Sequence, residues 1–297
     1  MRPDFTHSFI RNQGTAYPQE RPCPPRQEPV TSIFHFEYRD ISPFSRTVEP
    51  FEDYWWIDTE SQQGQNLLTF IAALKDQSGF GFWMFAKVEE NQDERNFYLF
   101  ISWKGQPPSI FLDSKALNPH DSHLFAVVGP ALRSATELYH VPFERPMSRL
   151  GTSYNGLSIE MISWHIPSSL DPTFHQSYAE QFRSLNYIFE GLDVHSACVG
   201  PGYLVNCIRG WVMQPAKTAK EPVDKTHVFM LFWKSKEHEL EYKDPQKRSY
   251  AEGSGGPGSV EDAPDIWKQW YLDFEEDWMR SGLSVRTLHL RFFHDED

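Results

Sequence analysis

Hydrophobic and polar positions alternate along this chain in short bursts. In "VTSIFHFEYRDI" (30–41), Ile33, His35, Glu37 and Arg39 fall on one side and Phe34, Phe36 and Tyr38 on the other, which predicts a strand. "TESQQGQNLLTFIAALKD" (59–76) has helical spacing behind Thr59 as N-cap. "GFGFWMFAKV", the polar hairpin "EENQDER" and "NFYLFISWK" predict two further strands; a helical region from about Pro108 to Ser134 and the strand "TELYHVPFE" follow. The second half repeats that order. "GLSIEMISWHI" predicts a strand, and "DPTFHQSYAEQFRSLNYIFEGL" a helix capped by Asp171 with Pro172 at its first position. "GYLVNCIRGWVMQ" and "THVFMLFWKS" flank a polar hairpin; a helical region from about Lys236 to Ser281 leads into the last strand, "SVRTLHLRFF".

Both halves thus read β-α-β-β-α-β, and in each a strand ending in Trp-Lys follows a polar hairpin. The expected fold class is α+β: tandem duplicated ferredoxin-like units, each a sheet with helices on one face, packing face to face as a pseudo-dimeric α+β barrel. The divisions expected are a Pro-rich N-terminal arm at 1–28, containing most of "RPCPPRQEP", a first unit at 29–150 and a second at 151–297.

Charge narrows the partners. With 28 basic and 41 acidic side chains the net charge is −13, a surface that repels nucleic acid and anionic lipid. Three cysteines without a C-x-x-C pair point to a reduced cytoplasmic protein, and nothing approaches the roughly 20 apolar residues of a membrane span. The expected partner is a hydrophobic small-molecule substrate, and the chain is expected as a monomer or homodimer.

Candidate chemistry sits on the strands. In the last, Thr287, His289 and Arg291 share one face and Leu288, Leu290 and Phe292 the other; with the apolar face against helices, His289 and Arg291 look into the barrel as an acid/base and an anion holder. Ser163 shares a face with Met161 and His165. Arg209, among Tyr203, Val205, Cys207 and Trp211, needs an oxyanion or a carboxylate. Tyr203, Tyr139, His35 and Trp233 complete the candidate substrate-binding set. His120-x-x-His123 has no evident third ligand, so no metal site is expected. "GSGGPGS" (253–259) lacks the Lys of a phosphate loop.

The Pro-rich arm before "FHFEYRD", the strand "SIEMISW", "FWKS" before a helix, and the closing "GLSVRTLHLRFF" together resemble the haem-containing aldoxime dehydratases of the dimeric α+β barrel superfamily. That resemblance implies dehydration of an aldoxime to a nitrile on ferrous haem, with His289 at the distal histidine and Ser163 near the family serine. The place of the family's proximal histidine reads "PDIWKQWYLDFEED" and holds none, so haem would need a non-family iron ligand such as His238, with His227 and His289 as the other candidates. The first expectation is therefore no cofactor: a metal-free lyase, cyclase or isomerase, as other barrels of that superfamily are, in a setting such as secondary metabolism, with His289, Arg291 and Ser163 as catalytic residues. Haem-dependent nitrile formation and a non-catalytic binding or assembly protein are the alternatives.

Overall fold

In the computed structural model, most strands are dry on both faces, because aromatic and aliphatic residues fill both phases of their alternation. The structure describes residues 29–48, 53–89, 93, 95–108, 126–144, 147, 157–170, 178, 204–213, 224–243 and 272–293. Strand β1 (Val30–Tyr38) is followed by a short hairpin of β2 (Phe44–Val48) and β3 (Asp53–Ile57). The hairpin was not anticipated from the alternation. Next come helix α1 (Gln62–Lys75), β4 (Phe80–Val88), β5 (Asn96–Trp103) and β6 (Leu132–Val141). The second set is β7 (Ser158–Ile166), β8 (Leu204–Trp211), β9 (Lys225–Trp233), α2 (Lys236–Lys243), α3 (Asp273–Arg280) and β10 (Ser284–Phe293). Apart from buried Tyr178, the predicted helix after Asp171 lies outside the described residues, as do the Gly-rich segment, His120, His123 and Tyr203.

Local chemistry sets the ends of the helices that matter. The N-cap of α1 is Ser61, two residues later than expected; its Oγ accepts from the Gly64 amide at 3.0 Å. A Cβ at Gly64 would fall 1.9 Å from the Asp58 carbonyl oxygen, so the turn before α1 requires glycine. At the end of α3, Gly282 adopts φ +97°, the Gly282 amide donates to the Met279 carbonyl and the Leu283 amide to the Trp278 carbonyl. This is a Schellman ending, with buried Leu283 against Trp278, and it launches β10.

Eight strands form one antiparallel sheet in the order β6-β1-β5-β4-β10-β7-β9-β8, and β2-β3 forms a separate pair. Within β1, β4, β5 and β6 the spatial order is fourth-first-third-second, and it is the same within β7, β8, β9 and β10. The sheet curls until its two edges meet. The Met213 amide donates to the His140 carbonyl at 2.7 Å and the Glu144 amide to the Arg209 carbonyl at 3.1 Å. Gly210 permits this closure, since a Cβ there would lie 2.7 Å from the Pro142 carbonyl oxygen.

Curling divides the apolar residues into three clusters. Inside lie Ile33, Met84, Tyr98, Phe100, Ile159, Met161, Met230, Phe232, Leu290 and Phe292, drawn from strands of both sets. Outside, Leu67, Phe70 and Leu74 of α1 cover Phe36, Phe85, Phe97 and Trp103. Trp278 of α3 covers Ile162, Trp164 and Phe229 on the other outer face. The orientation of β10 is therefore the reverse of that expected. Leu290 and Phe292 point inward, and His289 points outward to the side covered by helices. The physical reason is that the interior is the drier side, while the outer side offers His289 a partner from α2.

Candidate active site

The outward-facing polar cluster begins with a carboxylate in an otherwise apolar strand. Glu160 of β7 is 3 % exposed, and β10 places His289 directly opposite it in register. Helix α2 brings Lys236, Glu239 and Lys243 to the same place, their i, i+3, i+7 spacing putting them on one helix face. Glu239 is 1 % exposed. His289 Nε2 lies 2.9 Å from Glu239 Oε1, and Lys243 Nζ lies 2.8 Å from that oxygen and 2.8 Å from Glu160 Oε1. Lys236 Nζ is 3.0 Å from Glu239 Oε2, towards which Ser158 Oγ donates at 3.4 Å. Trp233 Nε1 donates to Glu160 Oε2 at 3.2 Å, and Lys243 Nζ stands 5.8 Å from the Trp233 ring centroid.

Two buried carboxylates are thus neutralised by two ammonium groups, with an imidazole at the edge. Burial alone would raise the Glu239 pKa; hydrogen bonds from His289, Lys243 and Lys236 outweigh it and hold the carboxyl far below the usual range. The hydrogen bond to Glu239 raises the His289 pKa above its ordinary value against the opposing effect of burial. Glu275 on α3 is pushed up by burial and by the charge of Glu160. Because ionised Glu239 can only accept, Nε2 of His289 carries hydrogen, and Nδ1 is the nitrogen that exchanges a proton.

The Glu160, Glu239 and His289 donor atoms lie within 4.8 Å of one another, a donor set that suits a divalent cation. Lys243 supplies positive charge between the two carboxylates. Haem, implied by the resemblance, fits less well. His289 is held in an ion-paired cluster, His238 Nδ1 lies 2.8 Å from Ser235 Oγ, and buried His227 packs against Trp211 and Phe229. Burial and then the nearby Arg209 charge lower the His227 pKa to about 3, so this imidazole is neutral.

The residues anticipated from sequence separate. His289 and Trp233 join the cluster. Ser163 does not: it is on the opposite, inner face of β7, 7 % exposed, across from Arg286. There the Arg286 guanidinium donates to the Tyr98 hydroxyl at 3.2 Å and the His35 ring stacks on Tyr98 at 4.7 Å. His35 and half-buried Tyr139 thus face the interior. Arg291 is outward and 54 % exposed in its side chain, 3.9 Å from Glu89. Arg209 lies on β8, with β7 and β9 between it and β10, and pairs with Glu144 at 2.8 Å; its carboxylate partner is at the closing seam of the sheet. Glu160, Glu239, Lys236 and Lys243 were missed. The sequence signal was there, a lone acid inside "SIEMISW" that burial would force to find a partner.

The first set of strands carries a comparable group. Trp103 Nε1 donates to Ser32 Oγ at 2.7 Å, and Ser32 Oγ is 2.7 Å from His140 Nδ1. Ser32 faces His140 across β1 and β6, as Glu160 faces His289 across β7 and β10. Trp103 is opposite the residue two before Ser32, and Trp233 is opposite the residue two before Glu160.

No protein-family model matches the chain, and no curated protein matches it. Among solved structures, it is similar to a "Putative monooxygenase" of Fusobacterium nucleatum subsp. nucleatum, at 9% identity over 90% of this chain and 93% of that one, with a TM-score of 0.40. It is also similar to a point variant of chlorite dismutase from Candidatus Nitrospira defluvii, at 11% identity over 72% of this chain and 80% of that one, with a TM-score of 0.34. No helix among the described residues is long and apolar enough to cross a membrane.

Proposed function

We propose that the chain is a duplicated pair of ferredoxin-like units closed as a pseudo-dimeric α+β barrel, and that its second unit is the active half of a small-molecule lyase or isomerase. The repeated strand order and the register-matched Trp103-Ser32-His140 and Trp233-Glu160-His289 groups support the duplication. One observation carries the activity: a partly exposed imidazole, His289, hydrogen-bonded to a fully buried carboxylate, Glu239, that Lys236 and Lys243 keep ionised. A base of this kind is both oriented and strengthened by the carboxylate behind it.

The reaction class follows from what such a base does. Nδ1 of His289 takes a proton from carbon next to a carbonyl, and the C–H electron pair moves to the carbonyl oxygen as an enolate. The imidazolium then returns the proton to a different carbon, which is isomerisation, or gives it to a departing hydroxyl at the β carbon, which is elimination of water. Glu239 holds the imidazolium while it exists. The first half, with neutral Ser32 where the second has Glu160, has a structural role.

The assay is deuterium wash-in from heavy water into a panel of hydrophobic carbonyl compounds, read by proton NMR. Exchange by the native chain that His289→Gln abolishes, with the fold intact by circular dichroism, is expected. Exchange unchanged in His289→Gln would remove the role assigned to this residue. Exchange of no panel member above the buffer rate would favour the non-catalytic reading.

A further inference from the structure

We infer that this site takes substrates whose reacting end carries or gains negative charge on oxygen, such as 2-oxo acids and enolisable keto acids, and that Lys236 is the residue that binds that oxygen. The inference rests on the acid/base reading of His289 and names its substrate class.

The exposure gradient across the cluster gives the sign. The side chains of Glu239 and Glu160 are 2 % and 4 % exposed, whereas those of His289, Lys243 and Lys236 are 20%, 22% and 34% exposed. A solute arriving from water therefore meets ammonium and imidazole, with the carboxylates behind them. Among the described residues, the charged groups around His289 are Glu239, Lys236 and Lys243 from α2 and Glu160 from β7, and the Glu275 carboxyl of α3 stands near Glu160 and Lys243. Glu160 and Glu239 offset Lys236 and Lys243 while the imidazole is neutral. When His289 takes a proton, the cluster gains one positive charge in a poorly solvated place, and an enolate formed beside it cancels that charge. A substrate that became cationic would be repelled.

The two lysines differ in a way that selects one of them. Lys243 bridges Glu160 and Glu239 with two contacts of 2.8 Å. Lys236 makes one carboxylate contact, at 3.0 Å, and is the more exposed. It stands at the first position of α2, on the solvent side of the same carboxylate that orients His289. Lys243 thus braces the carboxylates, and Lys236 turns a donor toward the substrate oxygen. Charge-assisted hydrogen bonds of this type are among the stronger ones available.

Oxalate, a planar mimic of a 2-oxo acid enolate, and oxamide, its neutral isostere, are the probes. Each is titrated into the full chain while the His289 imidazole resonances are followed by NMR. Saturable shifts with oxalate and none with oxamide are expected, with an upward move of the His289 titration on binding. Lys236→Gln should weaken oxalate by about tenfold or more, as loss of one charged hydrogen bond does, and Lys236→Arg should retain it. Equal responses to both probes, or oxalate binding unchanged in Lys236→Gln, would overturn the inference. The two readings fail separately. Wash-in confined to neutral ketones removes the anionic class and leaves His289 as the base; oxalate binding at Lys236 with no wash-in for any compound leaves an anion site and removes the catalysis.

Discussion

Replacing Glu239 with Gln removes the charge on which the outer cluster is organised while preserving its size. In the native protein that carboxylate is 2 % exposed and is contacted by His289, Lys243 and Lys236 at 2.8 to 3.0 Å. Taking one partner out of a buried charge network costs about 3–5 kcal/mol, because the remaining charges stay desolvated without compensation. Three charge-assisted hydrogen bonds at about 1.5–3 kcal/mol each would total more, but this sum overstates the loss. Lys236, a third exposed, can turn to water, so its contact is discounted for solvent screening. Lys243 retains Glu160. The expected destabilisation is about 3 kcal/mol near pH 6, at the lower end of that range.

The pH dependence makes this prediction specific. The native His289 pKa is raised above its unfolded value, so its contribution to stability is fully present below the unfolded value of 6.5 and is lost as pH rises through the folded value. The Glu239→Gln variant lacks the source of that rise. The gap between variant and native should therefore be widest below pH 6.5 and narrow at pH 9. Urea denaturation of both proteins at pH 6 and pH 9, followed by tryptophan fluorescence and circular dichroism together, measures it. A gap under about 1 kcal/mol, typical of a surface pair, or one independent of pH, would refute the reasoning.

Three further substitutions test other parts of the structure. Ser32→Ala removes the hydroxyl that accepts from the Trp103 indole and meets His140 Nδ1 in the dry first half, and should cost about 1–3 kcal/mol in chemical denaturation with little effect on the His289 titration. Trp233→Phe removes the donor to Glu160 and should cost about 1–2 kcal/mol in the same experiment, with a change in the His289 NMR titration because Glu160 and Lys243 move. Gly210→Ala forces a methyl against the Pro142 carbonyl and the Val141 side chain at the seam; it should lower the melting temperature by several degrees, about 2 kcal/mol, and speed amide exchange at Met213 and Glu144.

Strand positions were legible because most strands are short apolar bursts between polar turns; β1, β4, β5, β7, β8 and β10 fall within segments that the alternation picks out, and β9 starts one residue before its segment. The hairpin β2-β3 was not, since "FSRTV" is five residues with little periodicity and its partner "DYWWI" is as short. Which way β10 faces was also hidden. In a sheet that is covered by helices outside and filled inside, both phases of a strand are buried, and alternation alone cannot name the inner one. His289 faces outward because Glu239, fifty positions earlier, arrives on a helix to meet it. Ser163 fell away for the same reason, being in the other phase of β7 from Glu160. The lysine and glutamate spacing of α2 was visible, but a short charged helix reads as a solvated one until a buried acid on β7 is set against it.

The place of β10 in the sheet has a consequence for synthesis. It lies between β4 and β7, so it joins the two sets of four on the side away from the β6/β8 seam. Of the eight it is also the last in chain order. Until residues 284–293 have left the ribosome, β4 and β7 are both open edges, and the interior lacks Leu288, Leu290 and Phe292. Each set can begin to pair during translation, but the continuous sheet, the filled interior and the pairing of His289 with Glu239 can only be completed after it. A chain stopped before residue 284 would carry two exposed strand edges and a carboxylate cluster without its imidazole, a species for chaperones or for aggregation.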